Sequence, residues 1–189
     1  MRFDRKELGV AVIGAGRIGT HRSRLAVQHP AVRFLAISDL EPERAEALGN
    51  RVGAQVTSGS NEEVIAHPDV NAVIVSTSEF AHVEPILQAL ELGKPVLVEK
   101  PIAMSLEDAD RVLSAMEKNK GDLRVGYIMR YKRQYFLGKE QIDEGRLGRL
   151  VGATGRVFNS RAQALEILKR SADATPVLDV LTYYVDMMC

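Results

Sequence analysis

Residues Val10-Ala11-Val12-Ile13-Gly14-Ala15-Gly16-Arg17-Ile18-Gly19 decide how the rest of the chain is read. The apolar run from Leu8 to Ile13 predicts a strand buried on both faces. Gly14, Gly16 and Gly19 follow at the G-x-G-x-x-G spacing, just before a helical pattern begins. That spacing has mechanical content. The first glycine permits a tight turn, the second lets the backbone approach a pyrophosphate, and the third lets helix and strand pack closely. Amides at the start of the helix then face the phosphates, with the helix dipole behind them. A glycine-rich turn without a ligand is the plain alternative. Asp39 weighs against it, standing about 20 residues beyond Gly19 as a dinucleotide fingerprint requires.

Outward from this stretch, strand and helix patterns alternate. Arg17 to Gln28 predicts a helix with Ile18, Leu25 and Ala26 on its apolar side, closed by Pro30. Val32 to Ser38 predicts the second strand, which puts Asp39 at its carboxyl end. A carboxylate there accepts hydrogen bonds from the adenosine ribose of NAD and repels the additional phosphate of NADP. Leu40 follows rather than an arginine, which favours NAD. The competing role for Asp39 is an N-cap for a helix over Pro42 to Leu48. Next come a strand at Ala54 to Val56, a helix at Asn61 to Ala66 and a strand at Asn71 to Ser76. A helix from Glu79 to Leu92 stops at Gly93, and Pro95 to Val98 is a strand. A helix from Leu106 to Lys118 starts on Ser105 and Asp108, an approximate capping box, before a strand at Leu123 to Tyr127. This alternation predicts an α/β fold for residues 1–128, a Rossmann-type doubly wound and mainly parallel sheet. From Met129 the pattern changes to a helix over Tyr131 to Glu144, a strand over Leu150 to Asn159, a helix over Ala162 to Lys169 and a helical pattern over Pro176 to Cys189. Residues 129–189 therefore read as the opening of a second, incomplete domain.

Composition narrows the function classes. The 189 residues carry 25 basic and 25 acidic side chains, which argues against a nucleic-acid-binding tail or an acidic disordered region. One cysteine, Cys189, excludes an internal disulfide framework and suits a reducing compartment. His21, His29, His67 and His82 lack metal-ligand spacing, so no metal is expected. No run approaches the ~20 apolar residues of a membrane span. The expectation is a soluble, cytoplasmic protein with a small-molecule substrate, no nucleic acid and no membrane partner.

In an open parallel sheet, ligands bind beyond the carboxyl ends of the strands. The fourth strand ends in Ser76-Thr77-Ser78-Glu79 and the fifth in Glu99-Lys100-Pro101. A lysine in that position can hydrogen-bond a substrate hydroxyl, whereas a plain surface lysine is the bland reading. The Lys100-Pro101 bond is a candidate for the cis form. In the last helical pattern Asp179, Tyr183 and Asp186 stand at i, i+4 and i+7 and share a face, beside Leu178, Val185 and Met188 expected to be buried. A solvated polar face competes with a functional reading. In the latter, this face closes over the nicotinamide end, Tyr183 and Lys100 move the proton of a substrate alcohol, and Asp179 orients them.

Five segments together resemble the Gfo/Idh/MocA oxidoreductase family (glucose-fructose oxidoreductase, inositol dehydrogenase and relatives). They are Gly14-Ala-Gly-Arg-Ile-Gly-Thr-His21, Ala89-Leu-Glu-Leu-Gly-Lys-Pro-Val-Leu-Val-Glu-Lys-Pro101, Gly126-Tyr-Ile-Met-Arg-Tyr131, Gly145-Arg-Leu-Gly148 and Leu178-Asp179. The resemblance runs from about Leu8 to the last residue. It implies that Lys100 is the catalytic lysine, that Glu99 lies near the nicotinamide ribose, and that Asp179 and Tyr183 complete the site. It further implies that Arg130 and Tyr131 line the substrate cleft. Cofactor contacts are expected from Gly14, Ala15, Gly16, Arg17, Ile18, Gly19, Asp39, Ser76, Thr77, His82, Glu99 and Lys100. Two places depart from the family pattern: Tyr183 stands where histidine is frequent, and Thr77-Ser78-Glu79 replaces Thr-Pro-Asn. A third departure is length, since family members carry a full substrate domain built on a large sheet, and the resemblance makes residues 129–189 the N-terminal part of an incomplete α+β substrate domain. The expected function is NAD-dependent hydride transfer to or from a secondary alcohol of a sugar, cyclitol or related polyol, by a protein that is a homo-oligomer at full length. A non-catalytic NAD-binding regulator or sensor of the same fold is the alternative, and NAD-assisted glycoside cleavage is a variant within enzymes.

Overall fold

The structure is a computed structural model describing residues 7–158, 160–170 and 177–189. The chain divides into two compact units, Met1–Val125 and Gly126–Cys189. The first unit contains β1 (Leu8–Ile13), α1 (Arg17–Gln28), β2 (Val32–Ser38), α2 (Pro42–Val52), β3 (Val56–Ser58), α3 (Asn61–Ala66), β4 (Ala72–Val75), α4 (Val83–Glu91), β5 (Val96–Val98), α5 (Leu106–Asn119) and β6 (Leu123–Val125). The strands form one sheet in the order β3-β2-β1-β4-β5-β6, and every pairing is parallel. Successive crossovers run outward from β1 in both directions. The switch in strand order between β1 and β4 leaves a crevice at their carboxyl ends.

β1 shows why this run is apolar at every position. Ala11 and Ile13 belong to a core with Ile86, Leu90 and Val112 from α4 and α5. Val10 and Val12 face the opposite way, into a core with Ala45 and Leu48 of α2. A strand covered on both faces has no polar side. The approximate capping box at α5 also forms, with Ser105 Oγ accepting from the Asp108 amide at 3.1 Å and meeting the Asp108 carboxylate at 3.0 Å.

Several boundaries and faces differ from the sequence reading. α1 buries Gly19 and Ser23, not Ile18 and Leu25, which are 36% and 48% exposed. Ala26 does pack inward, against the Val10 and Val12 side of the sheet. Small residues at i, i+4 and i+7 form the seam because this helix lies close to β1, so its large apolar residues point outward. α2 continues to Val52 and ends at Gly53, whose φ of 75° suits the left-handed closing position. Its N-cap position is Glu41, not Asp39. The third strand begins at Val56 instead of Ala54, in register with Ala36. The helix expected from Glu79 opens as a 3-10 turn, Glu79–Ala81, before α4 proper.

The second unit holds a 3-10 turn at Ile128–Tyr131, α6 (Arg133–Asp143), α7 (Arg161–Arg170), a π turn at Val177–Leu181 and α8 (Thr182–Met188). The strand expected over Leu150 to Asn159 does not form over 150–158, and Asn159 lies outside the described residues. A strand exists by pairing, and no described strand of this unit offers its edge. Pro176, expected to open the last helix, also lies outside the described residues. Leu178, Val185 and Met188 are 39%, 60% and 54% exposed instead of buried. The π turn bonds i to i+5 and shifts the helical phase, so a stripe spaced for an ordinary helix does not gather on one buried side.

Candidate functional site

The glycine loop is shaped by backbone on two sides. Gly14 has φ of 97°, and a Cβ there would lie 2.8 Å from both the Ser76 carbonyl oxygen and the Thr77 nitrogen. At Gly19 a Cβ would run into the Gly14 carbonyl. Gly16 differs, because the nearest atom to its Cβ position is the Arg44 guanidinium, 3.7 Å away. Backbone at Gly16 is thus open to a ligand while its neighbours are walled in. Gly16 is the N-cap of α1, with no side-chain cap and no acidic residue in the first turn. Ser60 and Ser105, by contrast, cap α3 and α5. An uncapped helix start leaves amide donors for an anion, and a pyrophosphate fits that requirement.

Asp39, just past β2, ties this loop to the next element. Its Oδ2 accepts from the Ala15 amide at 2.7 Å, and Oδ1 accepts from the Glu41 amide at 3.1 Å. Glu41 in turn accepts from Arg44 at 3.0 Å. That hydrogen bond, followed by the charge of Asp39, holds the Arg44 guanidinium even more firmly protonated than usual. Three charged groups therefore stand where an adenosine ribose would lie, two of them negative.

The ends of β4 and β5 face the same rim of the sheet. The buried Ser76 hydroxyl lies 3.2 Å from the Ile13 carbonyl and 3.3 Å from that of Gly14, so it braces the loop. Thr77 is half-buried, and its hydroxyl donates to the Ser78 carbonyl at 3.1 Å. His82 is only 1% exposed. Its Nδ1 lies 2.7 Å from the Pro101 carbonyl and its Nε2 lies 3.4 Å from the Thr77 carbonyl. Burial pushes the imidazole below the usual histidine range. The neutral ring donates one N–H, and the shorter contact assigns it to Pro101. His82 thus links the ends of β4 and β5.

Glu99 and Lys100 are half-buried, and the Lys100-Pro101 bond is cis. The Glu99 amide donates to the Val75 carbonyl at 2.9 Å, extending the β5 ladder. Its carboxylate receives Arg22 of α1, with Nε 2.7 Å from Oε1. In the second unit, Arg130 forks onto Asp186, with Nε–Oδ2 and Nη2–Oδ1 both 2.8 Å. The Tyr127 hydroxyl is 2.8 Å from Thr182 Oγ1. Its ring meets that of Tyr183 edge-on, with centroids 6.1 Å apart. Tyr131 is 82% exposed. Asp186 is thereby committed to Arg130, whereas Asp179 lies in the π turn.

The glycine loop, Asp39, Ser76, Thr77, Glu99 and Lys100 thus share one edge of the sheet, while Arg130, Tyr131, Asp179 and Tyr183 belong to the other unit. Arg22, Arg44 and Tyr127 were not singled out by sequence. Arg22 sits three residues past Gly19, one turn along the same helix, and only that spacing signals it. Among the described residues, no group of three or more His, Cys, Asp or Glu side chains is placed to hold a metal. No helix among them is long and apolar enough to cross a membrane.

The family model described as an oxidoreductase family with an NAD-binding Rossmann fold, Gfo/Idh/MocA, matches residues 8–127. Inositol 2-dehydrogenase 3 of Saccharopolyspora erythraea is 38% identical over 141 residues, covering 74% of this chain and 41% of that protein. The scyllo-inositol 2-dehydrogenase (NAD(+)) of Bacillus subtilis is 30% identical over 162 residues, covering 85% of this chain and 47% of that protein. Among solved structures, myo-inositol dehydrogenase from Lactobacillus casei in complex with NAD(H) and myo-inositol superposes with a TM-score of 0.78 at 26% identity. That match covers 96% of this chain and 53% of the other. The chain spans about half the length of the relatives it matches.

Proposed function

Because the chain belongs to the Gfo/Idh/MocA oxidoreductase family, whose NAD-binding Rossmann fold covers residues 8–127, we propose that it serves NAD-dependent oxidation or reduction of a secondary alcohol on a cyclitol, sugar or related polyol. The observation that carries this is one edge of one sheet. There an uncapped, glycine-opened helix start lies beside the Asp39 carboxylate and the Glu99-Lys100-Pro101 turn. The α1 amides would hold the pyrophosphate, and Asp39 the adenosine ribose hydroxyls. With Asp39 and Glu41 set against the single guanidinium of Arg44, a ribose phosphate is disfavoured, which supports NAD over NADP. Bound NAD supplies the hydride acceptor or donor at its nicotinamide ring.

The remaining chemistry falls to side chains of this chain. Lys100 hydrogen-bonds the reacting hydroxyl and exchanges its proton, with Tyr183 as partner in that transfer and Asp179 as orienter. Arg130 and Tyr131 contribute to substrate binding. The cyclitol class is supported by relatives that are named inositol dehydrogenases. The test is NADH formation by the full-length protein against a panel of inositols and aldoses, with Lys100→Ala alongside. General acid–base catalysis is worth about 10²- to 10⁴-fold, and Lys100→Ala is expected to lose that much. Wild-type turnover in Lys100→Ala refutes the role of Lys100. Saturable NADH binding with no turnover on any polyol, by the full-length protein, favours a non-catalytic regulator instead.

A further inference from the structure

Arg22 has no place in the phosphate loop or in the proton transfer described above, yet its geometry is specific. It lies on α1, one turn beyond Gly19, and its partner Glu99 is 77 residues away along the chain. Nε is 2.7 Å from Glu99 Oε1, and Nη2 reaches the same oxygen. The two side chains are only 19% and 14% exposed, whereas a surface pair such as Arg111–Asp108 stands at 46% and 37%. A sheltered pair of this kind holds its geometry better than a screened surface pair. It joins two parts of the same rim, the helix that presents amides at Gly16 and the turn that presents Lys100. The turn is fixed from its other side too. Glu99 N donates to the Val75 carbonyl, and the Pro101 carbonyl meets the buried His82. Lys100 therefore sits between two residues that are each held from outside the turn.

We propose that Arg22 is a positioning residue that locks the Glu99-Lys100-Pro101 turn to the phosphate-binding end of α1, so that the nicotinamide half of the cofactor is seated in register with the pyrophosphate. This rests on the dinucleotide reading of the site. ADP reaches the glycine loop and Asp39 but has no nicotinamide, so a positioning role acts on NADH and spares ADP. The experiment is calorimetric titration of the 189-residue protein with NADH and with ADP, for wild type, Arg22→Met, Arg22→Lys and the double variant Arg22→Met/Glu99→Gln.

Arg22→Met is expected to raise the NADH Kd about tenfold while the ADP Kd moves less than about twofold. Arg22→Lys, which keeps the charge but not the planar fork, should show a smaller selective loss. If Arg22→Met does not fold, the NADH-to-ADP ratio in Arg22→Lys decides the matter. Equal weakening of both ligands makes Arg22 a scaffold residue and overturns the proposal, as does no change in either. Recovery of NADH affinity in the double variant also overturns it, because the loss then came from an uncompensated carboxylate. Wild-type protein that binds neither ligand refutes the dinucleotide site itself, a result distinct from all of these.

Discussion

Gly19→Ala and Gly53→Ala change the same atom count in two different settings, and their contrast tests how the glycine loop works. At Gly19 the new methyl meets the Gly14 carbonyl and the Ser76 hydroxyl oxygen, the latter at 3.0 Å. The main obstruction is backbone, so α1 must lift from β1 to make room. Overpacking of this kind costs about 1–3 kcal/mol, and a backbone wall puts the cost near the upper end. At about 2–4 °C per kcal/mol for a domain of this size, Tm should fall by roughly 5–10 °C. Lifting α1 also withdraws its first amides from a bound pyrophosphate. One hydrogen bond to a charged group is worth about 1.5–3 kcal/mol, so NADH affinity should fall about 10- to 100-fold. Gly53 has nothing within 4 Å of its Cβ position, and only its φ of 75° opposes a side chain. Alanine there should cost about 1–2 kcal/mol in stability with NADH affinity unchanged. Thermal melts and NADH titration of both variants are the assay. Undiminished NADH affinity in Gly19→Ala, at a temperature where it is folded, refutes the phosphate-cradle account of the loop.

His82 gives a pH signature. Its folded pKa lies below the unfolded value of about 6.5, so as pH falls through that value the unfolded chain takes up a proton that the fold resists. Stability should therefore be present above about pH 6.5 and decline below it until the lower folded pKa is reached. In urea unfolding that slope should be shallower in His82→Gln, and identical slopes refute the assignment. Lys94 caps α3 through the Ile65 and His67 carbonyls, and burial depresses its pKa. Lys94→Met should cost about 1–2 kcal/mol of stability and leave NADH affinity unchanged in titration. Asp39→Ala removes the acceptor for the Ala15 amide and the proposed ribose contact together. NADH affinity should fall about tenfold or more while the margin over NADPH narrows, which paired titrations with the two cofactors measure.

Where the signal was local, the sequence was legible. The strand at Leu8–Ile13, the helix at Arg17–Gln28, the strand at Val32–Ser38 and the helix at Asn61–Ala66 have the observed ends, because glycines, prolines and apolar periodicity mark them within a few residues. What depended on partners distant in sequence was not legible. Ile18 and Leu25 read as an inner face until the close approach of α1 to β1 assigned that face to Gly19, Ser23 and Ala26. The strand-like pattern that begins at Leu150 finds no partner strand among the described residues of its unit. His82 was legible as a residue of interest but not as a buried brace, since the carbonyl it meets belongs to Pro101 at the end of another strand. Arg22 was invisible for the same reason, with its carboxylate partner Glu99 just past β5 and 77 residues away along the chain.

The measurement that bears most directly on the central claim is titration of the 189-residue protein with NADH and NADPH side by side. The account predicts saturable one-to-one binding of NADH, at least about tenfold tighter than NADPH, and weakened by Gly19→Ala. Absence of saturable binding, or a preference for NADPH, contradicts it.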